Sequence, residues 1–274
     1  MAHIDNQLYL FKRKFEEAIL TGGIKGKESI IRSSVLINLI HDAVKYELIQ
    51  NGVRSVQVFP HLGKTKPEIK VAGFLKQKDQ DVCVVPRGIA KRPRIISWGP
   101  LASEGIQDEF GDEYTRNTLI INVRSQMSSI AKNTDTLFER TFAEALNLHM
   151  MYPDAVLGEV YLIPVCEYDE STMDARRITF KQHNTNIAKY ISFFGAINKR
   201  TSTTEDLYKY ERCTLLIVDF RPEIPILYSS TSQLISAGLL PRDFPIEMSQ
   251  LAFHSFADDI LSVYAERFNI DTLK

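Results

Sequence analysis

The chain has 274 residues, 44% hydrophobic and 24% charged, a composition that excludes a disordered protein and allows a sizeable buried core. The 33 Lys and Arg balance 34 Asp and Glu at a formal net charge of −1, so no overall positive field draws in nucleic acid; a basic surface must come from local segregation of charge. The 3 cysteines, Cys83, Cys166 and Cys213, lie in apolar runs at no zinc spacing, imply no disulfide framework, and fit a reducing, cytoplasmic setting.

In chain order, residues 5–20 read as an amphipathic helix, with Leu8, Phe11, Phe15, Ile19 and Leu20 at helical spacing. This N-terminal stretch is charged and has no apolar signal-peptide core, and no run approaches the length of a bilayer span, so a soluble, intracellular protein is expected. Glycines at 22, 23 and 26 predict a break. Residues 28–50 predict one long helix with a buried stripe through Ile31, Val35, Ile37, Leu39, Ile40, Val44 and Leu48, stopped by Asn51-Gly52. The period then changes to that of strands at 53–59, 68–75 and 81–85. Residues 86–117 read as a long irregular loop holding the single Trp98.

A buried strand follows at 118–123 and a helix at 134–150, with Thr134 or Asp135 as its N-cap. Strands are predicted at 156–166, 177–181, 213–220 and 224–228, and helices at 185–198, 231–237 and 248–268. The order implies a mixed α/β fold, a central mixed sheet flanked by helices, as a single domain over 1–274.

No serine-protease pattern, P-loop, dinucleotide fingerprint or HExxH is present; the Gly22-Gly23 and Gly26-Lys27 run follows a helix and lacks P-loop spacing. What remains is charge at strand ends. Asp81 opens an apolar strand, and the strand at 118–123 runs into Arg124-Ser125-Gln126. Glu47 lies near the end of the long helix, while Glu139, Arg140 and Glu144 lie on the helix after the polar turn. Carboxylates at strand ends suit Mg2+, which prefers oxygen ligands, and a neighbouring cation suits a phosphate.

This layout resembles the PD-(D/E)xK nuclease superfamily, particularly type II restriction endonucleases. The similarity covers residues 28–165 and rests on Asn122-Val123-Arg124-Ser125-Gln126, then Lys132-Asn133, then Arg140-Thr141-Phe142-Ala143-Glu144-Ala145-Leu146. The resemblance implies a restriction-endonuclease-like fold, Mg2+-dependent cutting of double-stranded DNA, and a homodimer matching a palindromic site. It implies Asp81 and Glu47 as metal ligands, and Asn122 and Arg124 at the acidic and lysine positions of (D/E)xK. Asn brings no charge to a metal, and Arg cannot accept a proton. Those departures keep open a catalytically inactive DNA-binding or protein-interaction module with the same fold, and beyond it an enzyme for a small phosphorylated substrate.

Expected DNA contacts are Ser125, Gln126 and Lys132, with Arg87, Arg92 and Arg94 reading bases or phosphates from the loop at 86–117, and further readout from 183–210. Two literal matches compete for the motif: Glu68-Ile69-Lys70 with Asp79 and Asp81 downstream, and Pro153-Asp154 followed by Glu159-Val160-Tyr161. Glu159 sits between apolar neighbours, where a carboxylate is costly unless paired; Arg177 or Lys181 is the expected partner.

Overall fold

A computed structural model describes residues 2–274. Its centre is a six-stranded mixed sheet. The strands are β1 (Val58–Phe59), β4 (Val82–Val84), β7 (Leu119–Ser125), β8 (Leu157–Pro164), β9 (Arg212–Asp219) and β10 (Ile226–Tyr228), in that spatial order. β1, β4 and β7 pair antiparallel, β7, β8 and β9 run parallel, and β10 returns antiparallel. Every residue of β8 is buried, as parallel strands covered on both faces require. Two small hairpins lie outside this sheet: β2 (Ile69–Ala72) with β3 (Gln77–Gln80), and β5 (Arg94–Ile95) with β6 (Gln107–Asp108).

Side-chain alternation sends the apolar residues of β7 and β8 to two separate cores. Leu119, Ile121, Val123, Val160 and Leu162 pack under α1 (His3–Arg32), α2 (Val35–Gln50) and α7 (Phe253–Arg267). Ile120, Leu157, Tyr161 and Ile163 face α4 (Ile130–His149) and α5 (Ile187–Ile197), the helices that link the parallel strands. Short helices α3 (Asp112–Arg116) and α6 (Thr231–Ser236) complete the fold. Among the described residues, no helix is long and apolar enough to cross a membrane. All the cysteines are free and buried.

The helix expected over 28–50 is broken at Ser33-Ser34, where Ser33 Oγ bonds the Ile30 carbonyl at 2.7 Å instead of leaving the backbone to continue. Ile31 and Val35 are therefore exposed, not part of a buried stripe. The predicted glycine break falls at Gly23, whose φ of 60° and ψ of −142° bend α1 sharply. The strand expected at 53–59 is a short turn of helix followed by the two residues of β1, and 177–181 contributes only a bridge between Tyr168 and Phe180. The loop at 86–117 is not wholly irregular: it holds β5, β6 and α3.

Candidate functional site

α4 starts at Ile130, not at Thr134 or Asp135. Its first amides are capped from far along the chain: Glu167 accepts from Ser129 N at 2.8 Å and from Ile130 N at 3.3 Å. Thr134 instead turns its hydroxyl back to the Ile130 carbonyl. The early start gives α4 five turns and a face that runs along the C-terminal end of β7. Arg140 and Glu144 lie on that face, bordering a cleft with Asp81 and Arg124.

Asn147, one turn beyond Glu144, fixes the β2–β3 hairpin. Its side-chain oxygen accepts from Leu75 N at 2.7 Å and Lys76 N at 3.2 Å, and its backbone carbonyl accepts from Phe74 N at 2.7 Å. Gly73 makes this approach possible, since a Cβ there would stand 2.3 Å from the Asn147 amide nitrogen. The docked hairpin hangs Lys78 and Lys76 over Glu144, at 2.7 and 3.5 Å. Burial alone would raise the Glu144 carboxyl; Lys78, Arg124 and Lys76 outweigh it and hold the group below the usual range.

Asp81 stands at the start of β4 and accepts a 2.9 Å bond from Val123 N, which ties it to the middle of Asn122-Val123-Arg124. Asn122 and Arg124 share a face of β7. Across the parallel ladder Asn122 is opposite Glu159 and Arg124 opposite Tyr161. Arg124 Nε lies 3.1 Å from Glu159 Oε1 and its Nη2 3.6 Å from Glu144 Oε2. Glu159 is thus paired with Arg124, not with Arg177 or Lys181, and Lys181 pairs with Glu167. The 3.1 Å contact brings opposite charges together without hydrogen-bond geometry, so neither Glu159 oxygen accepts a hydrogen bond. Burial pushes the Glu159 carboxyl up to about 7 against the pull of Arg124, with Asp81 adding to the rise.

Unsatisfied polar atoms gather here. Both side-chain atoms of Asn122, Nη1 of Arg124, Oγ1 of Thr141, both oxygens of Glu159 and the Tyr161 hydroxyl are buried without a partner. Each such atom left without any partner costs about 1–3 kcal/mol, so a concentration of them calls for a bound water, an ion or a ligand group. Among the described residues, no three His, Cys, Asp or Glu side chains converge to hold a metal. Mg2+ needs only one or two carboxylates, with waters completing its shell. Asp81 is the cleft carboxylate that no described lysine or arginine holds, and the rest of the charged lining is Glu144 with Lys76, Lys78, Arg124 and Arg140.

The other expected residues divide. Ser125 and Gln126 line a second hollow that shares Val123, Arg124 and Arg140 with the first, so they join the site. Glu47 does not: it borders a separate hollow with Asp5, Tyr228 and His254. His41, not Glu47, is the α2 residue near Asp81; the two lie six residues apart, about 9 Å of helix rise and a third of a turn around the axis. Burial holds the His41 ring below its ordinary value even with Asp81 close by.

Arg87 bonds the Asp271 carbonyl at 3.0 Å, and Arg92 is exposed; neither lines the cleft. Arg94 is taken up by Asp108 and Asp112 and stacks 4.3 Å over the Trp98 ring. Lys132 is exposed on the first turn of α4, outside both hollows. Residues 183–210 hold α5, buried along Ile187, Tyr190, Ile191, Phe194 and Ile197, with exposed flanks, and none of them borders either hollow. Of the competing matches, Asp154 pairs with Arg116; Glu68 pairs with Lys66, and the β2–β3 ladder sets Glu68-Ile69-Lys70 alongside Asp79, with Lys70 directly opposite it. Lys76 and Lys78 went unassigned by sequence reasoning; their only signal was the charged run before Asp81. Comparison of the chain with family models, with curated proteins and with solved structures gives no match.

Proposed function

We propose that this chain is a type II endonuclease that hydrolyses phosphodiester bonds in double-stranded DNA with Mg2+, working as a homodimer on a palindromic site. The observation that carries the reading is the tie between Asp81 and Val123, which sets the carboxylate of one strand against Asn122-Val123-Arg124 of its antiparallel neighbour. The sheet order supports it, with an antiparallel β1–β4–β7 unit and α4 crossing over to the parallel β8. Asp81 would hold the cation. Bound there, it would lower the pKa of a water and offset charge on the attacking and leaving oxygens. Arg124, Lys78 and Arg140 border the cleft and neutralise charge that grows on the phosphate. Ser125 and Gln126 offer hydrogen bonds on the adjoining wall.

The test is incubation of the chain with long duplex DNA, with Mg2+ and with EDTA, resolved on a gel. Discrete bands that disappear with EDTA are expected, and diffuse degradation would rule out the site-specific part. A second reading is a DNA-binding module that does not cut. Asn122 and Arg124 favour it, since they stand where an acid and a proton-transferring lysine would be. Intact DNA with both Mg2+ and Mn2+, together with tight binding to one sequence, would select it.

A further inference from the structure

We infer that the hollow at the end of β7, lined by Arg124, Arg140 and Tyr161, is a metal-free pocket for the terminal phosphate of a DNA strand. The inference rests on DNA being the substrate, as the nuclease reading has it. This hollow adjoins the Asp81 cleft and shares Arg124 and Arg140 with it. The two differ in sign: the cleft carries Asp81 and Glu144, whereas no described carboxylate lines the hollow. Its volume is about 240 Å3, below the roughly 300–1,000 Å3 of a pocket that encloses a whole drug-sized ligand, so it suits one group of a larger molecule. Donors dominate its polar lining. Tyr161 is 1% exposed and its hydroxyl has no partner, and Arg124 Nη1 is likewise buried and unpartnered. Burial holds the Tyr161 phenol well above its ordinary value, so it stays a donor. Arg140 is exposed, lines both hollows and makes no ion pair with any described residue.

Glu159 and Glu144 already balance the charge of Arg124, but they lie against its Nε and Nη2 and leave Nη1 open. The uncompensated charge is that of Arg140. An anion that takes hydrogen bonds from Arg124 Nη1 and the Tyr161 hydroxyl, and charge from Arg140, satisfies all three at once. A terminal phosphate suits this set better than an internal one. It carries roughly −1.5 to −2 charge and three acceptor oxygens, whereas a diester has a single charge and two free oxygens. The shape agrees. Ile37 of α2 and Leu137 of α4 wall the hollow, and the buried Tyr161 floors it, which admits the end of a chain. The strand behind that end would pass Arg140 into the cleft.

The test measures binding of the full chain, in EDTA, to short duplexes that carry an internal dye and differ only in their ends: 5′-phosphate, 3′-phosphate or hydroxyl. One phosphorylated end is expected to bind at least about tenfold tighter than hydroxyl ends, the scale of hydrogen bonds to a charged group. Tyr161→Phe, which removes only the hydroxyl, and Arg140→Ala are each expected to reduce that ratio at least about threefold. Lys132→Ala, exposed on α4 outside both hollows, is expected to keep it. A tyrosine with a purely structural role would change binding to every duplex alike and leave the ratio alone. If Tyr161→Phe does not fold, by circular dichroism, Arg140→Ala alone is read. Equal affinity for all ends, or a ratio that survives these substitutions, overturns the assignment. Thymidine 5′-phosphate competing as tightly as the phosphorylated duplex would make the ligand a mononucleotide and overturn the strand-end assignment. Circular duplex DNA, which has no ends, separates this inference from the nuclease reading. A parent that cuts circular DNA with Mg2+ but shows no end preference sinks the pocket and leaves the nuclease reading intact. A parent with the end preference that leaves circular and linear DNA whole does the reverse.

Discussion

Arg124 Nε lies 3.1 Å from Glu159 Oε1, between two neighbouring strands and almost sealed from solvent. The pair joins the strand that carries the candidate motif to the strand that follows it. Removing one member of such a pair leaves the other charge buried and uncompensated, whereas removing both does not.

Arg124→Met should therefore destabilise the chain by about 3–5 kcal/mol, and Arg124→Met with Glu159→Gln should recover much of that loss. Urea unfolding of both variants in EDTA measures this. A double variant no more stable than the single one would mean that the two side chains do not depend on each other.

Glu211 is the main buried anion away from the cleft. It accepts from Leu157 N at 2.7 Å, Arg267 Nη1 at 2.8 Å and Arg200 Nη1 at 3.0 Å, with His149 Nε2 at 3.4 Å. Burial raises its carboxyl, but His149, Arg267 and the Leu157 amide outweigh burial and leave it below 4.5. Its stabilisation is present above the unfolded value and is lost as pH falls through the lowered folded value. Glu211→Ala should cost about 3–5 kcal/mol at neutral pH. Unfolding measured from neutral to acid pH should then show the variant losing less stability than the parent; parallel curves would contradict the linkage.

Lys78, which also holds Glu144, and Arg140 border the cleft, and on the nuclease reading they would meet a DNA phosphate. Lys78→Ala and Arg140→Ala should each weaken DNA binding across sequences and lower the salt dependence by about one ion's worth. Fluorescence anisotropy at several salt concentrations, in Ca2+ to hold DNA uncut, reads the slope. An unchanged slope in both variants would place the phosphate track elsewhere.

Arg94 is a prediction in the opposite sense. Because Asp108, Asp112 and Trp98 already occupy it, Arg94→Ala should leave DNA affinity and fragment sizes alone and loosen the β5–β6 hairpin. Limited proteolysis should cut the variant faster within 86–117, and a shift in cleavage specificity would restore Arg94 as a base contact.

Strong local patterns made much of the framework legible. The apolar runs that became β7, β8 and β9 and the periodic stretches that became α4, α5 and α7 need only neighbours in sequence to declare themselves. Asp81 and Arg124 stood out for the same reason, as charged residues at the ends of apolar runs, whereas Asn122 stood out only through the resemblance. β3 was not visible: Gln77-Lys78-Asp79-Gln80 has no apolar alternation and is a strand only because β2 pairs with it. The start of α4 escaped because its cap, Glu167, is 37 residues beyond Ile130.

What the chain's own order of residues determined was the set of elements and the presence of charge at their ends. What only the tertiary structure decided was which charges meet. Glu47 and His41 are both polar residues of one helix, and its packing set His41 within range of the Asp81 charge and Glu47 beside a separate hollow. Glu159 sought a partner that sequence distance placed at Arg177 or Lys181; the β7–β8 register gave it Arg124, 35 positions earlier along the chain. Burial and hydrophobic period are properties of a segment, but the partner of a buried charge is set by strand order and register, which bring together residues that no local pattern connects.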